Sequence, residues 1–447
     1  MFTKTERSDY SVDDGSIGST KMKKVLIVSY FFPPDTSIGA QRPYGLSKYL
    51  PEFGWEPIIL TVRRKMESSN GTRIIETDYE DVIKLLKSKL GLSNKSSLHE
   101  QLNIPITKDF NYPGFKSKFI KFCREIYTLP DDKKGWYKYA INSASALIES
   151  EKIDVIMSTS CPETCHLIAS KLKQRYNIPW IADFRDLWTQ NHYYGKYQAV
   201  KYIERKMESK ILSGADALVT VSEPLADILR SSNRNKKVKC VTNGYDENDF
   251  PKQSPELTKK FTITYTGTLY SGRRDPALLF KVIRDLITEK KMEQQHIELR
   301  FFMESDPWLS KEVSKYGLDG VVTIHGFLPR KEALKKQQES QVLLLLLWNN
   351  PKETGVYTGK VFEYLGSRRP IISVGGTKGV VKSLLDSTES GKFTVGEQTL
   401  REALLQYYQE FRETGEVKNR SNLNIQQYSY KSIAQKYAGI LNEVSTI

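Results

Sequence analysis

Cysteine is scarce and nowhere arranged as C-x-x-C: the 447 residues hold four, Cys123, Cys161, Cys165 and Cys240. That excludes a disulfide framework. It also excludes a zinc set, because Cys161 and Cys165 face each other only on a helix and no second Cys or His pair completes the ligands. The thiols read as reduced, in a cytosolic protein. Long apolar runs are missing too. The longest purely aliphatic stretch is Val342 to Leu347, far short of the ~20 residues that span a bilayer, so any membrane contact is peripheral. Met1 to Thr20 lacks the apolar segment of a signal peptide and mixes both charge signs, as a disordered tail does.

What the chain has in excess is positive charge. The formal net charge is +14 with 39% hydrophobic residues. A core of ordinary size is affordable, and acidic partners are favoured: nucleic acid, phosphorylated substrates or an anionic membrane surface. The length suggests two large domains or three small ones.

Lys24 to Tyr30 is a short apolar run that reads as a buried parallel strand, Arg42 to Leu50 has helical spacing, and Trp55 to Val62 reads as a second strand. Residues 65–135 break this rhythm and are Lys-rich and mostly helical by pattern. Within them Phe115, Lys116, Lys118, Phe119, Lys121, Phe122 and Arg124 alternate aromatic and basic character. That pattern is either an amphipathic helix packed on its own domain or one lying on anionic lipid. Strands then recur at Val155 to Ser158, Trp180 to Asp183, Ala217 to Val221 and Val238 to Val241, separated by helices. After a polar linker near residues 246–260 a second series follows: Phe261 to Thr266, Ile297 to Phe302, Val321 to His325, Val342 to Leu347 and Pro370 to Val374. Alternating strands and helices imply two parallel sheets covered on both faces.

In such sheets ligands bind beyond the carboxyl ends of the strands. The loop Phe32 to Arg42 follows the first strand, and Gly39 there allows backbone approach to an anion; a plain turn glycine is the alternative. The loop lacks both G-x-G-x-x-G and G-x-x-x-x-G-K-[ST], which argues against a standard dinucleotide site and a P-loop ATPase. Asp183, Arg185 and Asp186 follow another strand directly and are candidate catalytic groups, since charges there are costly unless paired or used. The alternative is a local Arg–Asp pair shaping the cleft wall. Gly267, Thr268, Arg273 and Arg274 follow the first strand of the second series; a diphosphate fits glycine and guanidinium groups. The most informative stretch is Gly355 to Leu365. Thr358, Gly359, Lys360 and Val361 open a helix whose free N–H groups and dipole favour phosphate, and Glu363 sits one turn in, where a carboxylate accepts both hydroxyls of a ribose. The alternative for Glu363 is a surface Glu favoured near a helix start.

These residues resemble the GT-B fold and the family-4 glycosyltransferases, including bacterial enzymes that build surface polysaccharides and lipid-linked glycans. The supporting pieces are Val221-Ser222, Thr242-Asn243-Gly244-Tyr245-Asp246, Tyr265-Thr266-Gly267-Thr268, His325-Gly326-Phe327-Leu328-Pro329 and the Glu363 helix, from Lys24 to about Leu441. The resemblance implies sugar transfer from a UDP- or GDP-linked donor to a polysaccharide or lipid-linked acceptor, with retention and with no metal or further cofactor. Gly267, Arg273 and Lys360 would handle the diphosphate, Glu363 the ribose, and Gly39 would lie near the phosphates or the acceptor. The family often carries Glu-x7-Glu; here Gly355 stands eight residues before Glu363, and Glu353 is two residues early. Asp183 to Trp188 follows a D-x-R-D-x-W pattern where many members have a His. The implied organisation is a tail at 1–20, an acceptor domain at 21–250 with the insertion 65–135, a donor domain at 251–425, and a C-terminal helix at 426–447 crossing back to the first domain. The expected location is the cytoplasm, with peripheral contact at the inner face of an anionic membrane. A nucleotide-sugar 2-epimerase on the same fold is the second reading. A basic nucleic-acid binder is a third, prompted only by charge, for the basic residues form no recognised motif.

Overall fold

The computed structural model describes residues 22–64, 71–89, 115–193, 195–251, 253, 255–270, 272–376 and 378–446. The expected tail at 1–20 and much of the 65–135 insertion lie outside them.

Two parallel sheets organise the described residues. The first contains β1 (Lys23–Val28), β2 (Trp55–Val62), β3 (Arg73–Thr77), β4 (Val155–Ser160), β5 (Trp180–Phe184), β6 (Ala217–Thr220) and β7 (Lys237–Cys240), in the order β3-β2-β1-β4-β5-β6-β7. The second contains β8 (Phe261–Thr266), β9 (Ile297–Phe302), β10 (Val322–Ile324), β11 (Val342–Leu346), β12 (Ile371–Val374) and β13 (Gly391–Phe393), in the order β10-β9-β8-β11-β12-β13. Central strands such as Val155–Ser160 and Val342–Leu346 are buried at every position, as a sheet covered on both faces requires. The two Rossmann-like domains expected from the strand pattern, and the GT-B fold implied by the resemblance, are therefore present.

Two strands were not expected. β3 falls inside the insertion read as mostly helical and pairs in parallel with β2 from Ile58↔Arg73 to Val62↔Thr77. β13 extends the far edge of the second sheet through Ile371↔Gly391 to Ser373↔Phe393. Both are edge strands that stay partly solvated, so neither Arg-Ile-Ile-Glu-Thr nor Gly-Lys-Phe carries an apolar run. The insertion also contributes the helices Val82–Lys89 and Phe115–Tyr127.

The helix Tyr430–Ser445 returns to the first sheet, and this completes that sheet's core. Its start is capped by the Ser429 hydroxyl, which accepts from the Ser432 N–H at 3.2 Å. Ile433, Ala434, Tyr437, Ala438, Ile440, Leu441 and Val444 are buried on one face, at helical spacing. They share one hydrophobic cluster with Val25, Ile27, Ile59, Val155, Met157 and Ile181. Each large apolar side chain buried this way contributes about 1.5–3 kcal/mol.

The chain passes between the sheets at Val241 to Asp246. Asp246 accepts from Lys48 Nζ and Tyr49 Oη, both at 2.7 Å, and caps the short turn Glu247–Asp249 through the Asn248 N–H. The hinge is thereby tied to the helix Ile38–Tyr49 of the first domain.

Candidate functional site: a cleft between two switch points

Each sheet reverses its direction of growth once, between β1 and β4 and between β8 and β11. Crevices open at the carboxyl ends of strands flanking such points. The loops after β1, β4 and β5 form one wall of a cleft; those after β8, β11 and β12 form the other.

On the first wall, Gly39 sits in the opening turn of the helix Ile38–Tyr49. A Cβ there would lie 2.5 Å from Arg185 Nη1, so only glycine admits the guanidinium. Arg185 is aimed by two carbonyls: Nε donates to Ser160 O at 2.8 Å and Nη2 to Cys161 O at 2.5 Å. Asp186 keeps solvent contact beside it, yet the protein packed around it displaces bulk water and pushes its carboxyl above the usual range, with Arg185 opposing.

Asp183 differs from its expected catalytic role. It is fully buried. Oδ1 accepts from Tyr437 Oη at 2.6 Å and Arg42 Nη2 at 3.0 Å, and Oδ2 accepts from Thr159 Oγ1 at 2.8 Å and Arg42 Nε at 3.1 Å. A carboxylate so enclosed touches no substrate. It holds Arg42, which also donates to the carbonyls of Val241 and Thr242 at 2.9 and 2.7 Å. The pair joins the first helix, the hinge and the returning helix, and fixes the strand that carries Arg185 and Asp186. Arg42 and Asp183 lie 141 positions apart, and an arginine at helical spacing reads as surface. Sequence patterning carried no signal for this pair.

Glu163, beyond β4, is a second buried carboxyl on this wall. Burial, and then the charge of Asp131, lift it to about 7. Its Oε1 accepts from Cys161 Sγ at 3.4 Å.

The second wall is built around the helix Gly359–Ser367. Val361, Phe362, Tyr364 and Leu365 bury its inner face, which sets the direction of its N-terminus. Thr358 is the N-cap, but its hydroxyl makes no capping bond and, though buried, has no partner among the described residues. The N–H groups of Gly359 and Lys360 open the helix and have no helical acceptor. Lys360 points inward. Its Nζ donates to Tyr265 Oη at 2.8 Å and lies 4.3 Å from that ring's centroid. Burial pushes the ammonium well below its ordinary value; Arg274 acts in the same direction and Glu363 opposes. Among the described residues Lys360 forms no ion pair with a carboxylate. Gly267, at φ 101°, takes the left-handed backbone that lets Lys360 lie against it; a Cβ there would meet Lys360 Cε at 2.5 Å.

The other expected donor residues are placed less uniformly. Glu363 faces a cavity of ≈ 180 Å³ lined also by Thr36, Gly267, Phe302, Phe327 and Arg330. Val361 is buried in the core, and its N–H donates to Thr358 O at 3.1 Å, so neither its side chain nor its amide is free for a ligand. Thr268 is exposed, and its carbonyl accepts from Tyr265 Oη at 2.8 Å. Arg273 lies outward, 4.8 Å from the centroid of the Trp348 ring. Its neighbour Arg274, given no separate role at the outset, is the guanidinium whose charge reaches Lys360. Arg330 also went unread, although it directly follows the His325-Gly326-Phe327-Leu328-Pro329 stretch.

The walls touch across the cleft. A Cβ on Gly359 would lie 2.4 Å from Ile38 Cγ1. Ser222 Oγ donates to Gly355 O at 2.6 Å. Glu353 Oε1 accepts from both His192 Nε2 and Tyr193 Oη, and Tyr193 stacks on Trp348 with centroids 5.3 Å apart. The Glu353 carboxylate thus serves the closed contact between the domains. Among the described residues no group of His, Cys, Asp or Glu is arranged to hold a metal ion.

The family model described as Glycosyltransferase Family 4 matches residues 111–249. No curated protein matches the sequence. A glycosyltransferase from Rickettsia africae superposes over 95% of this chain and 98% of its own, with TM-score 0.59 and 14% identity. Sucrose-phosphate synthase from Thermosynechococcus elongatus does so over 94% and 98%, with TM-score 0.58 and 14% identity. HepE from Anabaena, in complex with UDP and glucose, does so over 94% and 100%, with TM-score 0.57 and 11% identity. At such identities the structural likeness speaks for the fold, and the family match speaks for residues 111–249. Together they show a GT-B fold across the chain and a match to Glycosyltransferase Family 4 over residues 111–249.

Proposed function

We propose that the protein transfers a sugar from a UDP- or GDP-linked donor to a polysaccharide or lipid-linked acceptor, with retention at the anomeric carbon and without a metal. The observation that carries this is Lys360: a half-buried, largely desolvated cation with no carboxylate ion pair among the described residues, beside the unpartnered Thr358 hydroxyl at a helix start. A buried charge is costly unless an opposite charge joins it, and a diphosphate supplies that charge. Lys360, Arg274 and the N–H groups of Gly359 and Lys360 would receive the negative charge that develops on the leaving diphosphate, the role preorganised donors play in transfer reactions. Glu363 would take the ribose hydroxyls, with Phe302 and Phe327 beside the base. Arg185 and Asp186 would face the acceptor; Gly39 gives them room, and Asp183 acts through Arg42 as a positioning group. Cytoplasmic work at an anionic membrane belongs to the same proposal. It is supported by Phe119 and Ile126, both exposed on the helix Phe115–Tyr127, and by the charge of +14. No described helix is long and apolar enough to cross a membrane.

A thermal-shift screen across UDP-, GDP- and CDP-sugars, followed by calorimetric titration of UDP and GDP, tests the donor reading. Binding of one nucleotide by wild type and its loss in Glu363→Ala is the expected result. Binding of neither, or equal binding by the variant, overturns it. Appearance of an epimer from donor alone, without acceptor, would move the assignment to the epimerase reading.

A further inference from the structure

Arg330 opens the helix Arg330–Gln338 and stands between two carboxylates. Its Nε donates to Glu363 Oε1 at 3.1 Å, and its Nη1 donates to Asp249 Oδ2 at 2.7 Å. All three side chains are largely enclosed, with relative exposures of 23%, 19% and 24% for Arg330, Glu363 and Asp249. Asp249 does not belong to the donor wall. It closes the hinge turn Glu247–Asp249, whose cap, Asp246, is bound by Lys48 and Tyr49 of the first domain. A single guanidinium therefore ties the carboxylate proposed for the donor ribose to the segment that links the two sheets.

Glu363 can receive ribose hydroxyls only if it is ionised and keeps one oxygen free. Arg330 occupies Oε1, and no described residue donates to Oε2. The groups whose charge reaches Glu363 are Arg330, Lys360, Asp249, its neighbour Tyr364 and Tyr430 on the returning helix. Of these only Arg330 and Lys360 are cationic, and Lys360 spends its hydrogen bond on Tyr265. Arg330 is the cation that orients the carboxylate.

We infer that Arg330, itself fixed by Asp249, is a positioning residue for donor binding: it holds Glu363 charged and presents its second oxygen to the ribose, and it couples the occupied donor site to the hinge. The inference rests on the donor reading above. Burial raises the Glu363 carboxyl and Arg330 opposes that rise. Without Arg330 the carboxyl protonates at a higher pH, and donor affinity falls away at a higher pH with it.

The test is calorimetric titration of UDP, with GDP in parallel, into wild type, Arg330→Met, Arg330→Lys, Glu363→Gln and the double variant Arg330→Met/Glu363→Gln, from about pH 5.5 to 8.5. Arg330→Met is expected to weaken binding about tenfold at neutral pH, as loss of a hydrogen bond to a charged group does. It should also move the pH at which affinity declines upward by about 1–3 units. The nucleotide's own titration is common to all variants and cancels in the comparison. Arg330→Lys should recover part of both effects, and adding Arg330→Met to Glu363→Gln should shift nothing further. A wild-type affinity and pH profile in Arg330→Met would overturn the inference. So would an equal loss in the Glu363→Gln background, because it would show that Arg330 acts by some route other than the carboxylate. If Arg330→Met fails to fold, Asp249→Asn takes its place, with a smaller weakening and an upward midpoint shift expected and an unchanged profile overturning the idea. Wild type that binds neither nucleotide removes the donor reading itself, an outcome distinct from the failure of the Arg330 role alone.

Discussion

Replacing Lys360 by Met should make the empty protein more stable and the liganded protein less so. Met keeps the apolar stem that lies against Gly267 and deletes only the ammonium. Tyr265 loses a donor but still gives its own hydroxyl hydrogen to Thr268 O at 2.8 Å, so no polar group is orphaned. What disappears is a largely desolvated cation that forms no ion pair among the described residues and feels Glu363 only at a distance. Relief of strain of this kind at a binding site stabilises by about 1–2 kcal/mol, which for a domain of this size raises Tm by roughly 2–8 °C. Wild type, in UDP at about 100 times Kd, should gain some 2.7 kcal/mol by mass action; the variant should lose most of that gain. The sign of the pH dependence is also set. Burial holds Lys360 well below 10.5, so the folded state sheds its proton before the unfolded chain does. Wild-type stability therefore rises with pH between the lowered value and 10.5, and the gap to Lys360→Met narrows as the solution becomes alkaline. Differential scanning fluorimetry with and without UDP, at two pH values, reads all of this. An apo Tm that falls in Lys360→Met while the UDP shift persists would refute the reasoning, because Lys360 would then be a structural cation.

Two further outcomes concern the first wall. Arg42→Met leaves Asp183 as an unpaired buried charge and strips donors from the Val241 and Thr242 carbonyls. Urea unfolding should show a loss of about 3–5 kcal/mol, largely recovered in Arg42→Met/Asp183→Leu; a loss under about 1 kcal/mol would sink the proposed role of the pair. Glu163 is lifted from 4.5 to about 7, so the folded state binds the extra proton between those values and wild-type stability falls as pH rises through that window. Glu163→Gln should flatten the profile and stabilise the protein by up to about 3 kcal/mol above neutrality in the same urea titration, and an unchanged slope would count against the buried carboxyl.

The central strands were legible because each is buried on both faces and so writes an unbroken apolar run; β3 and β13 were not, because an edge strand needs no such run. The returning helix was legible from its 3.6-residue spacing and from the family resemblance. At the proposed donor site, Thr358, Gly359, Lys360 and Glu363 announce themselves locally, since a helix start and a carboxylate one turn later lie within six residues. Arg42 and Arg330 did not. Their meaning lies in partners brought together by the fold, 141 positions away for Arg42–Asp183 and 81 for Arg330–Asp249, and a lone arginine has no periodicity to read. Asp183 shows the reverse error. Its place at the end of a strand is the mark of a catalytic group, but the sequence does not say whether the side chain turns toward the cleft or into the core.

The helix Tyr430–Ser445 also dictates an order of events during synthesis. A ribosome that has finished β7 must still make roughly 200 residues, about 10–40 s of elongation at ordinary rates, before the helix emerges. Throughout that interval Val25, Ile27, Val155, Met157 and Ile181 lack the face they are built to meet. The second domain, whose larger hydrophobic cluster draws only on residues 261–417, is free to close sooner. The domain that is translated first is thus the one whose core is completed last, and a chain stopped short of Tyr430 would forfeit its beginning along with its end.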